Sequence, residues 1–222
     1  MLAMQYTRSP LPVVCMLATR LVDAGVFIQR RRRQYPRPLP QVEREVLMAA
    51  NTVPERLAWA VEMLDVAPDD RLLEIGCGAG HAVSLICARL DTGTITSIDR
   101  SGLMINLAQQ RNHHHVVAGK ARLEAVALEE AVFGDAQFTK VFAFNVNVFE
   151  RRPAHALGVV RSLLLPSGGL YLFFQPPRSH KTPRIAERVA AHLQLNRFVV
   201  SKVETADFQP APAVCVLAHP SQ

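Results

Sequence analysis

The sequence predicts an α/β fold: a doubly wound, mostly parallel seven-stranded sheet with an antiparallel last strand, sandwiched between helical layers (αβα). Three observations predict it. Short apolar runs that read as buried strands alternate with stretches of helical periodicity, the pattern of a sheet covered on both faces. A glycine-rich turn, Gly76-Cys77-Gly78-Ala79-Gly80, joins the first of these runs to a helical stretch. The last two apolar runs, Phe198 to Val203 and Ala213 to Ala218, follow one another with no helical pattern between them, as in an antiparallel hairpin.

The elements follow in order. Residues 1–47 differ from the rest: Leu11 to Ile28 is apolar in part but interrupted by Arg20 and Asp23, Arg30 to Arg33 form a basic run, and Pro36, Pro38 and Pro40 oppose regular structure. Three readings stand for this segment: a poorly ordered extension, a start truly near Met48, or a basic arm that touches nucleic acid or acidic lipid. It holds no uninterrupted apolar span of the ~20 residues that cross a bilayer. Its charge follows the apolar part, the reverse of a signal peptide. Residues 48–222 are expected to form one domain. Glu55 to Leu64 places Leu57, Ala60, Val61 and Leu64 at helical spacing, with Pro54 suited to the first turn. Trp59 is read as core on this helix, against the alternative of a lid over a ligand site. Arg71 to Ile75 is strand one, His81 to Leu90 a helix, and Thr94 to Asp99 strand two. Ser101 caps a helix that runs to about Gln110, with Leu103, Met104 and Leu107 facing inward. His113-His114-His115 falls in the loop before strand three, Arg122 to Ala127. Lys140 to Phe144 is strand four, Pro153 to Leu165 a helix, Pro166 to Gly169 a turn, and Leu170 to Phe174 strand five. Ile185 to Leu195 is helical.

The chemistry concentrates at the glycine turn. Gly76 and Gly78 let the backbone turn tightly out of a strand and approach a ligand, and the next helix offers free N–H groups. Glu74 stands two residues before the first glycine. A carboxylate there repels a dinucleotide pyrophosphate and attracts an α-ammonium group, as in S-adenosylmethionine. Asp99 ends the second strand about twenty residues on, where an acid accepts hydrogen bonds from ribose hydroxyls.

In the residues Glu74 to Gly80, and in Ile98-Asp99-Arg100-Ser101 with Met104 behind, the chain resembles the class I S-adenosylmethionine-dependent methyltransferases, Rossmann-like enzymes, from roughly Thr52 onward. The resemblance implies S-adenosyl-L-methionine as cofactor, bound by Glu74, Gly76, Cys77, Gly78, Gly80, Asp99, Arg100, Met104, Leu128 and Asn145. Many members carry an aspartate after strand three that binds the adenine amino group. Here Val126 or Ala127 takes that position, which leaves backbone groups near Ala127 and Leu128, or Glu129, for adenine. Asn145 and Asn147 follow strand four, where cofactor and acceptor meet, but the Asn-Pro-Pro motif of the N-methylating branch is absent. No large insertion supplies a substrate-recognition domain, so the acceptor is read as a small molecule. Methyl transfer from a sulfonium needs alignment and exclusion of water more than a catalytic group, so no catalytic residue is assigned. Two other classes stand as alternatives: a non-catalytic methyltransferase-like binding protein, and a nicotinamide-dependent oxidoreductase.

Composition bounds the rest. The 222 residues carry a formal net charge of +6, but residues 1–47 hold +5 of it, so the catalytic portion is nearly neutral and gives no reason to expect nucleic acid as substrate. Cys15, Cys77, Cys87 and Cys215 show no paired spacing and read as reduced thiols of a cytoplasmic protein. Cys77 is read as a small residue that fills space in the turn. Adjacent histidines point in different directions, so the run at 113–115 is not read as a metal site. His155 and His180 are read as exposed loop residues, with a base near the acceptor as the other reading for each.

Overall fold

Leu72 and Leu73 are adjacent in sequence and both fully buried, because successive strand residues point to opposite faces and both faces of this sheet are covered. In the computed structural model, which describes residues 53–221, they sit in β1 (Arg71–Ile75). The expected extension over residues 1–47 lies outside the described residues. Before β1 comes α1 (Glu55–Met63); after it come α2 (His81–Cys87), β2 (Thr94–Asp99), α3 (Gly102–Arg111), α4 (His113–Val117) and β3 (Ala121–Ala125). The second half holds β4 (Phe138–Phe144), α5 (Val148–Arg151), α6 (Pro153–Leu163), β5 (Leu164–Phe174), α7 (Thr182–Leu195), β6 (Phe198–Ala206) and β7 (Ala213–Pro220).

The seven strands order as β3-β2-β1-β4-β5-β7-β6. The ladders among β3, β2, β1, β4 and β5 are parallel, and β7 runs antiparallel between β5 and β6. The expected fold class is therefore the observed one, with the final strand inserted rather than at the edge. One core packs Leu73, Ile75, Val141, Leu170 and Leu172 against Ala156, Leu157 and Val160 of α6 and Val189 and Leu193 of α7. The other packs Leu72, Ile95, Phe142 and Phe173 against α1, α2 and α3 through Val61, Leu64, Ile86 and Ala108. Each fully buried Leu or Ile contributes ~2 kcal/mol of transfer free energy. Trp59 joins this second core, its ring edge-on to Phe173 at 5.6 Å.

Five local expectations are corrected. The helix after the glycine turn ends at Cys87, not Leu90. On α3 the buried residues are Ile105 and Ala108, while Leu103 is exposed; the helix is rotated so that small Ala108 meets the glycine turn. The histidine run is not loop but the short helix α4, following α3 directly at Asn112. His155 likewise lies on a helix, α6. Finally, β5 starts at Leu164. Phe138 pairs with Leu164 and the next pair is Lys140 with Gly169, so residues 165–168 bulge out of the ladder, where a turn was expected.

Candidate active site

In a doubly wound sheet, ligands bind beyond the carboxyl ends of the strands, where the chain turns away in opposite directions from adjacent strands. The cavity of about 340 Å³ found there is lined by Ile75 and Gly76 at the end of β1, by Ile98, Asp99 and Arg100 at the end of β2, by Val126, Leu128 and Glu129 after β3, and by Phe144 to Val148 at the end of β4. Of the ten residues expected to bind cofactor, five line it: Gly76, Asp99, Arg100, Leu128 and Asn145. Cys77, Gly78 and Gly80 form the turn beside it. Met104 lies one turn into α3, where its N–H donates to the capping hydroxyl of Ser101.

Asp99 organises the mouth. One carboxylate oxygen accepts the Gly78 N–H at 2.9 Å and the other the Ser101 N–H at 2.9 Å, so the side chain fastens the glycine turn to the start of α3. The first residues of the turn are held from β2 as well, since the N–H groups of Gly76 and Cys77 both donate to the Ile98 carbonyl. Gly76, Gly78 and Gly80 all have positive φ, a backbone state open to glycine at little cost. Asn145 has φ +56°, which asparagine tolerates better than most residues. Its Oδ1 accepts the Gln175 N–H and so ties the end of β4 to the end of β5.

Glu74 is not at the mouth. It is buried beneath the turn, where the Ser97 hydroxyl donates to it at 3.2 Å. Burial, with the nearby charge of Asp99 and against the Ser97 bond, pushes its carboxyl up from 4.5 to about 8. A raised carboxyl pKa means the folded chain holds a proton that the unfolded chain has lost. Stability is then full below about pH 4.5 and falls by ~1.4 kcal/mol per pH unit as pH rises toward about 8. Glu74→Gln, which keeps an acceptor for Ser97, is expected to remove this slope. Thermal melts of both proteins from pH 5 to 8.5 check it: the variant gains on the wild type as pH rises, whereas parallel curves would mean that Glu74 is ionised throughout.

Sequence reasoning missed a network below the turn. Asn112, fully buried, donates to the carbonyls of Gly80 and Ala108, each at 2.9 Å, and accepts from the Ser84 hydroxyl at 2.7 Å. Arg111 donates to the Ala79 carbonyl. An Asn-His boundary between two helical stretches carries no sequence pattern that announces this role. A second cavity, of about 390 Å³, shares Asn145 and Asn147 with the first and extends over Phe174, Gln175, Pro176, Pro177 and Ile185. Among the described residues there is no cluster of three or more metal-ligating side chains, and no helix long and apolar enough to cross a membrane.

Residues 72–168 match a family described as a methyltransferase domain. The chain is 31% identical over 124 residues to a ubiquinone/menaquinone biosynthesis C-methyltransferase of Geotalea daltonii, an alignment that covers 54% of this chain and 52% of that one. It therefore spans about half the length of this relative. Among solved structures, a SAM-dependent methyltransferase from Aquifex aeolicus matches with a TM-score of 0.63 at 14% identity, covering 79% of this chain and 96% of the other. Magnesium protoporphyrin IX methyltransferase from Synechocystis, solved with bound SAM, matches with a TM-score of 0.57 at 19% identity, covering 83% and 86%. At these identities the structural matches speak for the fold.

Proposed function

We propose, from the match of residues 72–168 to a methyltransferase-domain family, that this chain transfers a methyl group from S-adenosyl-L-methionine to a small-molecule acceptor. The observation that carries the reading is Asp99, a carboxylate fixed at the end of β2 by two backbone donors and facing the cavity formed by the glycine turn. The residues present fit the cofactor. Each carboxylate oxygen of Asp99 keeps a lone pair for a ribose hydroxyl. Ile98, Val126 and Leu128 supply apolar walls for a purine. Among the described residues the Leu128 N–H has no protein acceptor, so it is available to donate to a ring nitrogen of adenine, and the exposed carboxylate of Glu129 beside it is the acceptor that takes the place of the usual aspartate opposite the amino group. Gly76, Cys77, Gly78 and Gly80 shape the turn against which the methionine part lies, Arg100, Met104 and Asn145 flank it, and Glu74, buried and holding its proton at neutral pH, supports the turn from beneath instead of pairing with the ammonium group.

When bound, the cofactor supplies an electrophilic methyl on a sulfonium. This chain's share of the work is positional: Asn145 and Asn147 form the wall common to both cavities, and they align the acceptor with the methyl while Phe144 and Phe174 keep water away. No residue is required as a base unless the acceptor must lose a proton. The buried free thiols of Cys77, Cys87 and Cys215 support a cytoplasmic setting, and their pKa values, raised by burial, suit packing rather than redox chemistry.

Calorimetric titration tests the cofactor. S-adenosylhomocysteine is expected to bind at micromolar concentration and NADH not at all. The reverse order would move the reading to a nicotinamide oxidoreductase. Failure of both in a folded sample would leave a non-catalytic binding protein.

A further inference from the structure

The near-neutral total charge of residues 48–222 conceals an asymmetry. Between Asn147 and Arg188 there are seven basic residues and two acidic ones. This is the stretch that supplies most of the second cavity. Two of its cations line that cavity: Arg151 at the end of α5, and Lys181 in the short turn Ser179–Lys181 before α7. They lie 30 positions apart in sequence, and the fold brings them to one hollow. The lone acid of the lining, Glu150, is engaged by Arg188, whose Nη1 donates to its Oε1 at 2.9 Å. Among the described residues no carboxylate comes within ion-pair distance of Arg151 or Lys181. The hollow therefore presents two uncompensated positive charges over an apolar floor of Phe174, Pro176 and Ile185, next to the wall it shares with the cofactor cavity.

Resting on the methyltransferase reading above, we infer that this cavity is the acceptor site and that the acceptor carries an anionic oxygen group, a carboxylate or a phosphate, held by Arg151 and Lys181. A guanidinium presents a planar pair of donors that matches two oxygens of such a group, and an ammonium adds a mobile point charge. Both side chains are exposed at the rim, where attraction acts mainly on capture and is weakened by salt. The amide of Gln175 is already spent: it donates to the carbonyls of Gln209 and Ala211, which holds the floor in place instead of contacting ligand. A neutral acceptor would leave both cations without a partner, and a cationic one would be repelled. At about 390 Å³ the cavity suits a small organic anion rather than a polymer segment.

The test is calorimetric titration of succinate, inorganic phosphate and uncharged succinamide into the full chain, with and without saturating S-adenosylhomocysteine. The wild type, the double variant Arg151→Ala/Lys181→Ala and a control, Arg161→Ala, are compared; Arg161 is exposed on α6 and lines neither cavity. Succinate or phosphate is expected to bind the wild type and the control at millimolar concentration, at least tenfold more weakly to the double variant, and more weakly in 0.5 M salt. Succinamide is expected not to bind. Whichever anion binds names the group. Equal binding of an anion to wild type and double variant, equal binding of succinamide, or no anion binding up to 50 mM overturns the inference. The cofactor titration separates the two levels. Unchanged S-adenosylhomocysteine affinity in the double variant keeps the loss local to the acceptor cavity. If the wild type binds anion but not S-adenosylhomocysteine, the methyltransferase reading fails and the anion pocket stands.

Discussion

Replacing Gly80 with alanine is expected to destabilise the protein by about 3 kcal/mol or more, the sum of left-handed backbone strain and overpacking. Gly78→Ala in the same turn is expected to cost only about 1 kcal/mol, from the backbone term alone. Both residues have positive φ, +72° at Gly80 and +51° at Gly78, so the strain is common to the two. Their surroundings differ. A Cβ on Gly80 would lie 2.7 Å from Asn112 Nδ2, 2.8 Å from Ala108 Cβ and 3.0 Å from Ala108 Cα. The contact with Ala108 involves backbone and a methyl with no rotamer, so no side-chain rotation relieves it. Moving Asn112 instead would break its bonds to the Gly80 and Ala108 carbonyls in a fully buried place. A Cβ on Gly78 meets nothing within 4 Å. Urea denaturation of the two variants separates them; similar losses would mean that the turn yields as a unit and that the packing against α3 is not tight.

That contrast marks what was legible in the sequence. The order of the central elements was readable because β1, β5 and the C-terminal part of β4 are covered on both faces and so appear as apolar runs, while α6 and α7 each show one apolar face. The insertion of β7 between β5 and β6 was not, since nothing local in Ala213 to Ala218 says which strands it pairs with. The site divided along the same line. That Gly76, Asp99 and Asn145 line the cavity was legible because it follows from their position at a strand's end. The burial of Glu74 was not, because the residue that receives it, Ser97, is 23 positions away on the neighbouring strand. Asn112 escaped for the same reason: its partners Gly80 and Ser84 belong to another helix, and an asparagine between helices looks like an ordinary boundary residue. Charge misled when summed over the domain, because Arg151 and Lys181 act by converging in space and a total has no direction.

Asp99→Ala is expected to weaken S-adenosylhomocysteine binding at least a hundredfold, about 2.7 kcal/mol, a loss of the size that one or two hydrogen bonds to an ionised group supply. Two effects add. The ribose hydroxyls lose a charged acceptor, and the turn loses the link between the Gly78 and Ser101 N–H groups, so the ligand must also order its own site. Asp99→Asn resolves which effect dominates. An amide has one acceptor oxygen, yet both oxygens of Asp99 accept a backbone N–H, so in either orientation the amide nitrogen faces a donor. If the turn governs affinity, Asn is expected to bind nearly as poorly as Ala, and both to melt at lower temperature than wild type. If the ribose contact governs it, Asn retains most of the affinity, because its oxygen still accepts one hydroxyl. A third result, wild-type affinity in Asp99→Ala, would remove the observation on which the cofactor assignment rests. The glycine turn would then be a structural hinge of the sheet rather than half of a nucleoside site.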